Sequence, residues 1–128
     1  MQMSAWRRKA IENFPVLQQD LNDPEFTIYM LFFELLPMSR EAHRHGRTRE
    51  LEKIYRFAEW CAAQHDDNLQ NAAAVAFYEH LFDERELWEK VAPWLGSQFI
   101  RRYWPLWEYQ LDVEQLKALR KFLGRKAP

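Results

Sequence analysis

Residues that start or stop α-helices recur at short intervals along this chain, and no segment between them has the alternating or β-branched pattern of a strand. The three glycines, Gly46, Gly96 and Gly124, each lie where a helix is expected to begin or end. The predicted turns between the helices are short, and short turns make successive helices antiparallel neighbours. The sequence therefore predicts an all-α protein of six or seven antiparallel helices.

Two arrangements satisfy this pattern: an up-down bundle and an irregular stack of helical hairpins resembling HEAT repeats. We slightly favour the stack, because the second, third and fourth helices carry apolar residues on more than one side. A chain of 128 residues predicts a single domain, 1–128. Within it we expect an N-terminal helix and turn (1–22), a helical-hairpin core (23–124) and a tail (125–128).

Individual boundary residues make the helix prediction specific. Ser4 is the expected cap of the first helix, and Asp23-Pro24 the expected start of a long second helix. Pro37 is expected to kink or break that second helix. The later boundaries are a third helix opening at Thr48, a fourth capped by Asp66, Asp67 or Asn68, a fifth capped by Asp83, a sixth from Gly96-Ser97 that Pro105 interrupts, and a last one capped by Asp112.

Charge and cysteine usage limit the class of protein. With 19 acidic and 18 basic side chains the net charge is -1, so no overall field draws the chain to nucleic acid or anionic lipid. Cys61 is the single cysteine, which favours a reducing compartment and predicts a cytoplasmic protein. The N-terminus lacks the order of a signal peptide, and no apolar stretch approaches the roughly 20 residues of a membrane span.

Two residue pairs are candidates for catalysis or metal binding. Cys61 and His65 are spaced i, i+4, which allows an imidazole to take the thiol proton, but no orienting group or glycine-rich oxyanion turn accompanies them. Glu41 and His45 share that spacing, whereas helical di-metal sites use Glu-x-x-His pairs. We predict no catalytic residue, metal or cofactor. A small enzyme or metal protein built on either pair is the alternative.

One carboxylate lies in an unusual sequence context. Glu34 is flanked by Phe32, Phe33, Leu35 and Leu36. A charge on an apolar helix must find a partner or change its protonation state. We expect a buried ion pair between Glu34 and an arginine.

The charged residues are unevenly distributed. Residues 57–92 contain eight acidic and two basic side chains, a net charge of -6, and residues 93–128 carry a net charge of +4. In a stack of antiparallel hairpins, alternate turns lie at the same end. Five carboxylates are therefore predicted to form one acidic edge that docks a partner: Asp66, Asp67, Asp83, Glu84 and Glu86. A solvated surface is the alternative reading of this edge.

Aromatic residues are dense between positions 94 and 109. Positions 100, 103, 104, 107 and 111 share one helical face if Pro105 only kinks the helix, which leaves Tyr109 outside. We expect most of the rings in the core and one or two at a groove, with Trp107 and Tyr109 as candidate partner-binding residues. Binding of single-stranded nucleic acid through Arg101, Arg102 and these rings is a further alternative.

Two segments carry a resemblance to a known family. They are Phe57-Ala-Glu-Trp-Cys61 and the stretch from Asn71-Ala-Ala to Phe77-Tyr-Glu79-His-Leu81. This pattern resembles that of an uncharacterised family of small bacterial all-helical proteins. The resemblance implies a helical fold and no catalytic residues. Some similar small helical proteins are immunity partners of secreted toxins.

Together these features favour a non-enzymatic protein–protein interaction module, an antitoxin or immunity-type protein whose acidic edge covers a basic partner. A helical domain without a catalytic motif more often binds than catalyses. The expected partner is another protein of unknown identity, with no membrane association and with nucleic acid less favoured.

Overall fold

The computed structural model describes residues 3–128, and this part of the chain contains helices and turns but no β-strand. The prediction of an all-α protein is confirmed. Its eight α-helical segments are α1 (Ala5–Asn13), α2 (Gln18–Leu21), α3 (Ile28–His45), α4 (Thr48–Ala62), α5 (Asp67–Ala76), α6 (Trp88–Val91), α7 (Ser97–Gln110) and α8 (Val113–Leu123). Two of them, α2 and α6, are single turns of four residues. The antiparallel arrangement stays a prediction.

The chain divides into two compact units, Met1–Phe77 and Tyr78–Pro128. The first unit, described from residue 3, contains α1 to α5, and the second contains α6 to α8 with several 3-10 turns. We describe each unit by itself, and the single domain over residues 1–128 stays a prediction.

The first unit begins with α1, and Arg7 of this helix stabilises a turn that follows α2. The Arg7 guanidinium donates hydrogen bonds to the backbone oxygens of Leu21, Asp23 and Pro24 at 2.9 to 3.1 Å. The expected helix start at Asp23-Pro24 is therefore wrong, because this segment forms a turn. The cap of α3 is Thr27, whose Oγ1 accepts from the Met30 amide at 3.2 Å.

Helix α3, which corresponds to the long second helix of the sequence prediction, continues through Pro37 and ends at Gly46. Of the two expectations for Pro37, the break is wrong, because both Pro37 and Phe33, whose carbonyl loses its i+4 donor, are exposed to water. The kink stays a prediction. Gly46 adopts φ 63°, the left-handed conformation that terminates helices. This part of the prediction is confirmed.

The core of the first unit lies among α3, α4 and α5. Helical spacing in the sequence predicts an apolar stripe on α4, and all of its members are buried: Leu51, Ile54, Tyr55, Ala58, Cys61 and Ala62. On α5, Ala72 and Ala73 have no exposed surface, and their small side chains let backbones approach closely. Phe32 packs against Phe57 at 5.8 Å and against Phe77 at 5.7 Å between ring centroids. Long helices with small residues at their contacts thus build this unit.

The second unit begins with short, irregular elements. A 3-10 turn at Tyr78–His80 and another at Arg85–Leu87 precede α6. The prediction that Asp83 caps a helix is wrong, because its carboxylate contacts the His80 ring at 2.9 Å instead. Nearby, the Trp88 indole donates to the Phe82 backbone oxygen at 2.8 Å.

The two longer helices of the second unit follow. Helix α7 is continuous through Pro105, so the expected interruption is wrong; both Pro105 and Arg101, four residues earlier, are exposed. The predicted cap of α8 is confirmed, because the Asp112 carboxylate accepts from the Gln115 amide at 2.8 Å.

Candidate functional site

The thiol of the alternative catalytic pair is buried, and the histidine considered as its base lies outside its helix. Cys61 has no exposed surface, and burial raises the pKa of its thiol to about 12 despite a lowering contribution from Lys9. Helix α4 ends at Ala62, so His65 lies beyond it in an exposed loop. It is therefore not one helical turn after Cys61 on the same helix face. Cys61 therefore packs as a small apolar residue.

The second candidate pair forms a surface ion-pair network. Glu41 contacts Arg44 at 3.0 Å and His45 at 3.3 Å, and all three side chains are exposed by a third or more. Within residues 3–128, no group of three or more His, Cys, Asp and Glu side chains is arranged to hold a metal. The Glu41–His45 pair thus resembles an exposed contact at a helix end more than a metal site.

The first two residues of the predicted acidic edge lie at the start of α5. Asp66 is the N-cap, and its Oδ1 accepts from the amides of Asn68 at 2.8 Å and Leu69 at 3.1 Å. Asp67 is exposed in the first turn, where a carboxylate also favours the helix dipole. Asp66 has a structural role, whereas Asp67 is available to solvent.

The other three residues of the predicted edge lie in the second unit. Asp83 is about two-thirds buried beside His80, which also contacts Glu79 at 3.3 Å. Glu84 is half-buried just before a 3-10 turn, and Glu86 is exposed within it. The joining of all five carboxylates into one acidic edge stays a prediction.

The aromatic segment divides as its periodicity predicts. Positions 100, 103, 104, 107 and 111 are all buried, while Tyr109 is 88% exposed. Trp107 has no exposed surface, and its indole donates to the Tyr78 backbone oxygen at 2.8 Å. The prediction that Trp107 binds a partner is therefore corrected: it is a core residue, and Tyr109 alone of the two is accessible.

The same burial bears on nucleic-acid stacking. Arg101 and Arg102 are exposed on α7, but the rings that follow them, Tyr103 and Trp104, are both only 3% exposed. Tyr103 stacks on Tyr78 with a centroid distance of 4.3 Å. These rings are not displayed for stacking on bases.

A buried polar pair in the first unit was not predicted from the sequence. His43 is 4% exposed, and its Nε2 lies 2.8 Å from the Tyr55 hydroxyl. Burial raises the pKa of Tyr55 above its ordinary value. Neither side chain is accessible to a substrate, so the pair joins α3 to α4 within the core.

A groove on the first unit was also not predicted. It consists of two adjoining cavities that share Met38 and Glu50 as lining residues. The smaller cavity, about 180 Å³, is lined by Asn13, Phe14, Pro15, Val16, Lys53 and Ile54 in addition to the shared pair. The larger one, about 380 Å³, is lined by Glu34, Pro37, Glu41 and Arg47 together with the shared pair. We call these adjoining cavities the α3–α4 groove.

The outer face of α3 borders this groove and corrects the expectation for Glu34. Glu34 is exposed rather than buried, and no ion pair within residues 3–128 involves it. Met30 and Phe33, on the same helix face, are 47% and 63% exposed. The run of apolar residues around Glu34 is the signal in the sequence for this exposed face, because a helix that is apolar on several sides cannot bury all of them.

Comparison with known proteins gives one match. Residues 7–110 match the family described as a domain of unknown function, DUF7674. The chain belongs to this family, and the matched segment ends at the last residue of α7. No curated protein and no solved structure matches the chain. Among residues 3–128, no helix is both long enough and apolar enough to span a bilayer.

Proposed function

We propose that this member of the DUF7674 family is a non-enzymatic protein-binding module, an antitoxin or immunity-type protein of bacteria. The observation that carries the proposal is the exposure of Tyr109, a residue that is 88% exposed to solvent. Tyrosine is enriched among the residues that contribute most to protein interfaces, because it buries a large area and keeps a polar group.

The surroundings of Tyr109 support a binding surface. Val113, four residues later at the start of α8, is 69% exposed. The exposed carboxylates Glu108 and Glu114 lie in the same segment. An aromatic and an aliphatic side chain among carboxylates suit a partner surface that is both apolar and basic.

Exposed acidic residues elsewhere support a basic partner as well. Asp67 in the first unit and Glu86 in the second are exposed. Residues 57–92 carry a net charge of -6, which favours rapid association with a cationic surface at low salt. Asp66 and Asp83 are left out of the proposed contact because they have intramolecular partners.

The proposed setting is the cytoplasm, and the proposed architecture is an irregular stack of antiparallel helical hairpins. The free, buried Cys61 supports a reducing compartment. The short connection of two residues between α3 and α4 supports antiparallel neighbours in the first unit.

Affinity capture with the purified protein as bait tests the binding function. Tyr109→Ala should lower affinity for the captured partner about thirtyfold, a loss of about 2 kcal/mol typical of an interface hot spot, with no change in melting temperature. Gln110→Ala, at the adjacent exposed residue, is the matched control and should bind as the wild type does. Equal capture by the wild type and Tyr109→Ala, with no partner lost, contradicts the proposal.

A separate double variant tests the contribution of the exposed carboxylates to partner binding. Asp67→Asn combined with Glu86→Gln should slow association with that partner, and raising the salt concentration should shrink the difference. Both residues are exposed, so the fold should be unaffected. An unchanged association rate at low salt leaves these carboxylates as a solvated surface.

A further inference from the structure

The α3–α4 groove has two chemically different ends. In its smaller cavity the lining includes Phe14 and Ile54, which are 4% and 1% exposed and form an apolar floor, and Val16, which is 80% exposed at the edge. The lining of its larger cavity includes three glutamates and one arginine, Arg47. One end therefore suits an apolar side chain and the other suits a cation.

The three glutamates of the larger cavity differ in their surroundings. Glu41 already contacts Arg44 and His45, and Glu50 lies 4.0 Å from Arg47. Glu34 has no ion-pair partner in the described chain. An incoming cation therefore gains most at Glu34, where it displaces no existing contact.

An exposed apolar face continues from the charged end of the groove. Met30, Phe33 and Pro37 follow helical spacing on α3, and all three are exposed. Single exposed apolar residues are ordinary on protein surfaces, but a contiguous set beside a concave site is typical of interaction sites. Methionine adapts its shape to different bound side chains.

We propose that the α3–α4 groove binds a segment of a partner protein that presents an apolar side chain to the Phe14–Ile54 cavity and a basic side chain to Glu34. Charge complementarity selects this occupant, because an acidic segment would meet three carboxylates in the larger cavity. This site goes beyond the proposed function, since it uses neither Tyr109 nor the predicted acidic edge.

Methionine methyl resonances provide a direct test. Of the four methionines, Met38 lines both cavities, Met30 lies on the adjoining face, and Met3 precedes α1. The probe is a panel of short peptides with leucine and lysine at varied spacing among serines and glycines, titrated into methyl-labelled protein. Met30→Leu and Met38→Leu assign the two signals, because leucine conserves the volume of methionine.

We expect at least one leucine–lysine peptide to shift the Met38 signal in a saturable way while the Met3 signal stays in place. Val16→Ser and Glu34→Gln should each weaken this binding, the latter by about two- to fivefold, as for an exposed ion pair. Both side chains are exposed, so neither change should unfold the protein. Glu12→Gln, an exposed glutamate on α1 outside the groove, is the matched control for charge.

Four results overturn the proposal. They are no saturable Met38 shift with any peptide of the panel, equal binding of the peptides with glutamate in place of lysine, wild-type affinity in Glu34→Gln, and a wild-type dimer that Val16→Ser dissociates. The last result assigns the groove to a contact between two copies of the chain. Tyr109→Ala should bind the peptides normally, so failure at the groove and failure of the Tyr109 surface are separate outcomes.

Discussion

The two units bury a polar backbone by different means. In the first, α3 and α4 are 18 and 15 residues long and satisfy most backbone groups within themselves. In the second, two indoles donate to backbone carbonyl groups of the short turns, Trp88 to Phe82 and Trp107 to Tyr78, and the Tyr78 carbonyl also accepts from the Leu81 amide at 3.3 Å. Irregular backbone needs side-chain donors in the core, so much of the aromatic density of the second unit belongs to its fold and not to a ligand site.

The strongest way to break this comparison is to remove an indole from the second unit. Trp107→Ala should lower the free energy of unfolding by about 3 to 5 kcal/mol, the usual effect of truncating a buried aromatic residue. Trp107→Phe keeps a ring but removes one of the two hydrogen bonds to the Tyr78 carbonyl, which still accepts from the Leu81 amide, and should lower stability by roughly 0.5 to 1.5 kcal/mol.

Urea unfolding measures both Trp107 variants, and Tyr109→Phe, at an exposed ring, is the control with no expected change. Wild-type stability in Trp107→Phe would mean that the indole serves only as apolar volume. The contrast between the units would then disappear.

The corresponding change in the first unit adds volume where helices approach closely. Ala73 has no exposed surface on α5, so Ala73→Leu should overpack the contact and lower stability by about 1 to 3 kcal/mol. Ala5→Leu, at an exposed position on α1, should have little effect. Thermal unfolding compares the two variants, and equal melting temperatures would show that α5 has room for larger residues.

The smallest expected effect is a pH dependence from the first unit. Burial raises the pKa of Cys61 to about 12, whereas an unfolded thiol titrates near 8.5. Above pH 8.5 the unfolded chain releases a proton that the folded chain keeps, so stability falls as pH rises toward 12. Between about pH 8 and pH 9.5 this contribution is roughly 1 kcal/mol.

Cys61→Ala tests the assignment, because it should remove this part of the alkaline decrease whatever its effect on stability at neutral pH. Denaturant unfolding at several pH values gives the slope for both proteins. The same slope in wild type and variant would mean that other groups, such as the buried Tyr55, dominate.

Helical periodicity predicted burial well in both units. The stripes on α4 and α7 are buried as expected, and Tyr109 is left outside. Residue spacing alone determines which positions share a helix face, so no tertiary information was needed. The caps at Asp66 and Asp112 were also predictable, because each depends on a few neighbouring residues.

Features that depend on the environment of a residue were not predictable. Local sequence allows a kink or a break at Pro37 and an interruption at Pro105, but both helices continue, because each proline lies on an exposed face where water can bond the released carbonyl group. Asp83 was expected to cap a helix, yet His80 holds its carboxylate. Local sequence gives the preference of a residue, and its surroundings decide between competing partners.

The α3–α4 groove could not be predicted from helical periodicity, for a different reason. Its lining comes from the segment after α1, from α3 and from α4, so it exists only after these elements pack. The residues Phe33 and Glu34 gave a local signal, an outward apolar side chain beside an outward charge. From the sequence alone this signal predicts a buried ion pair, because an apolar run is usually internal.

The complete burial of Cys61 also makes its thiol a reporter of how often the surrounding region opens. It is the only thiol in the chain, and it lies near the end of α4 with no exposed surface. A thiol reagent can reach it only when this region opens, so the labelling rate in native buffer counts openings without any introduced probe. When closing is faster than labelling, that rate gives the free energy of opening, and when labelling is faster it gives the opening rate itself.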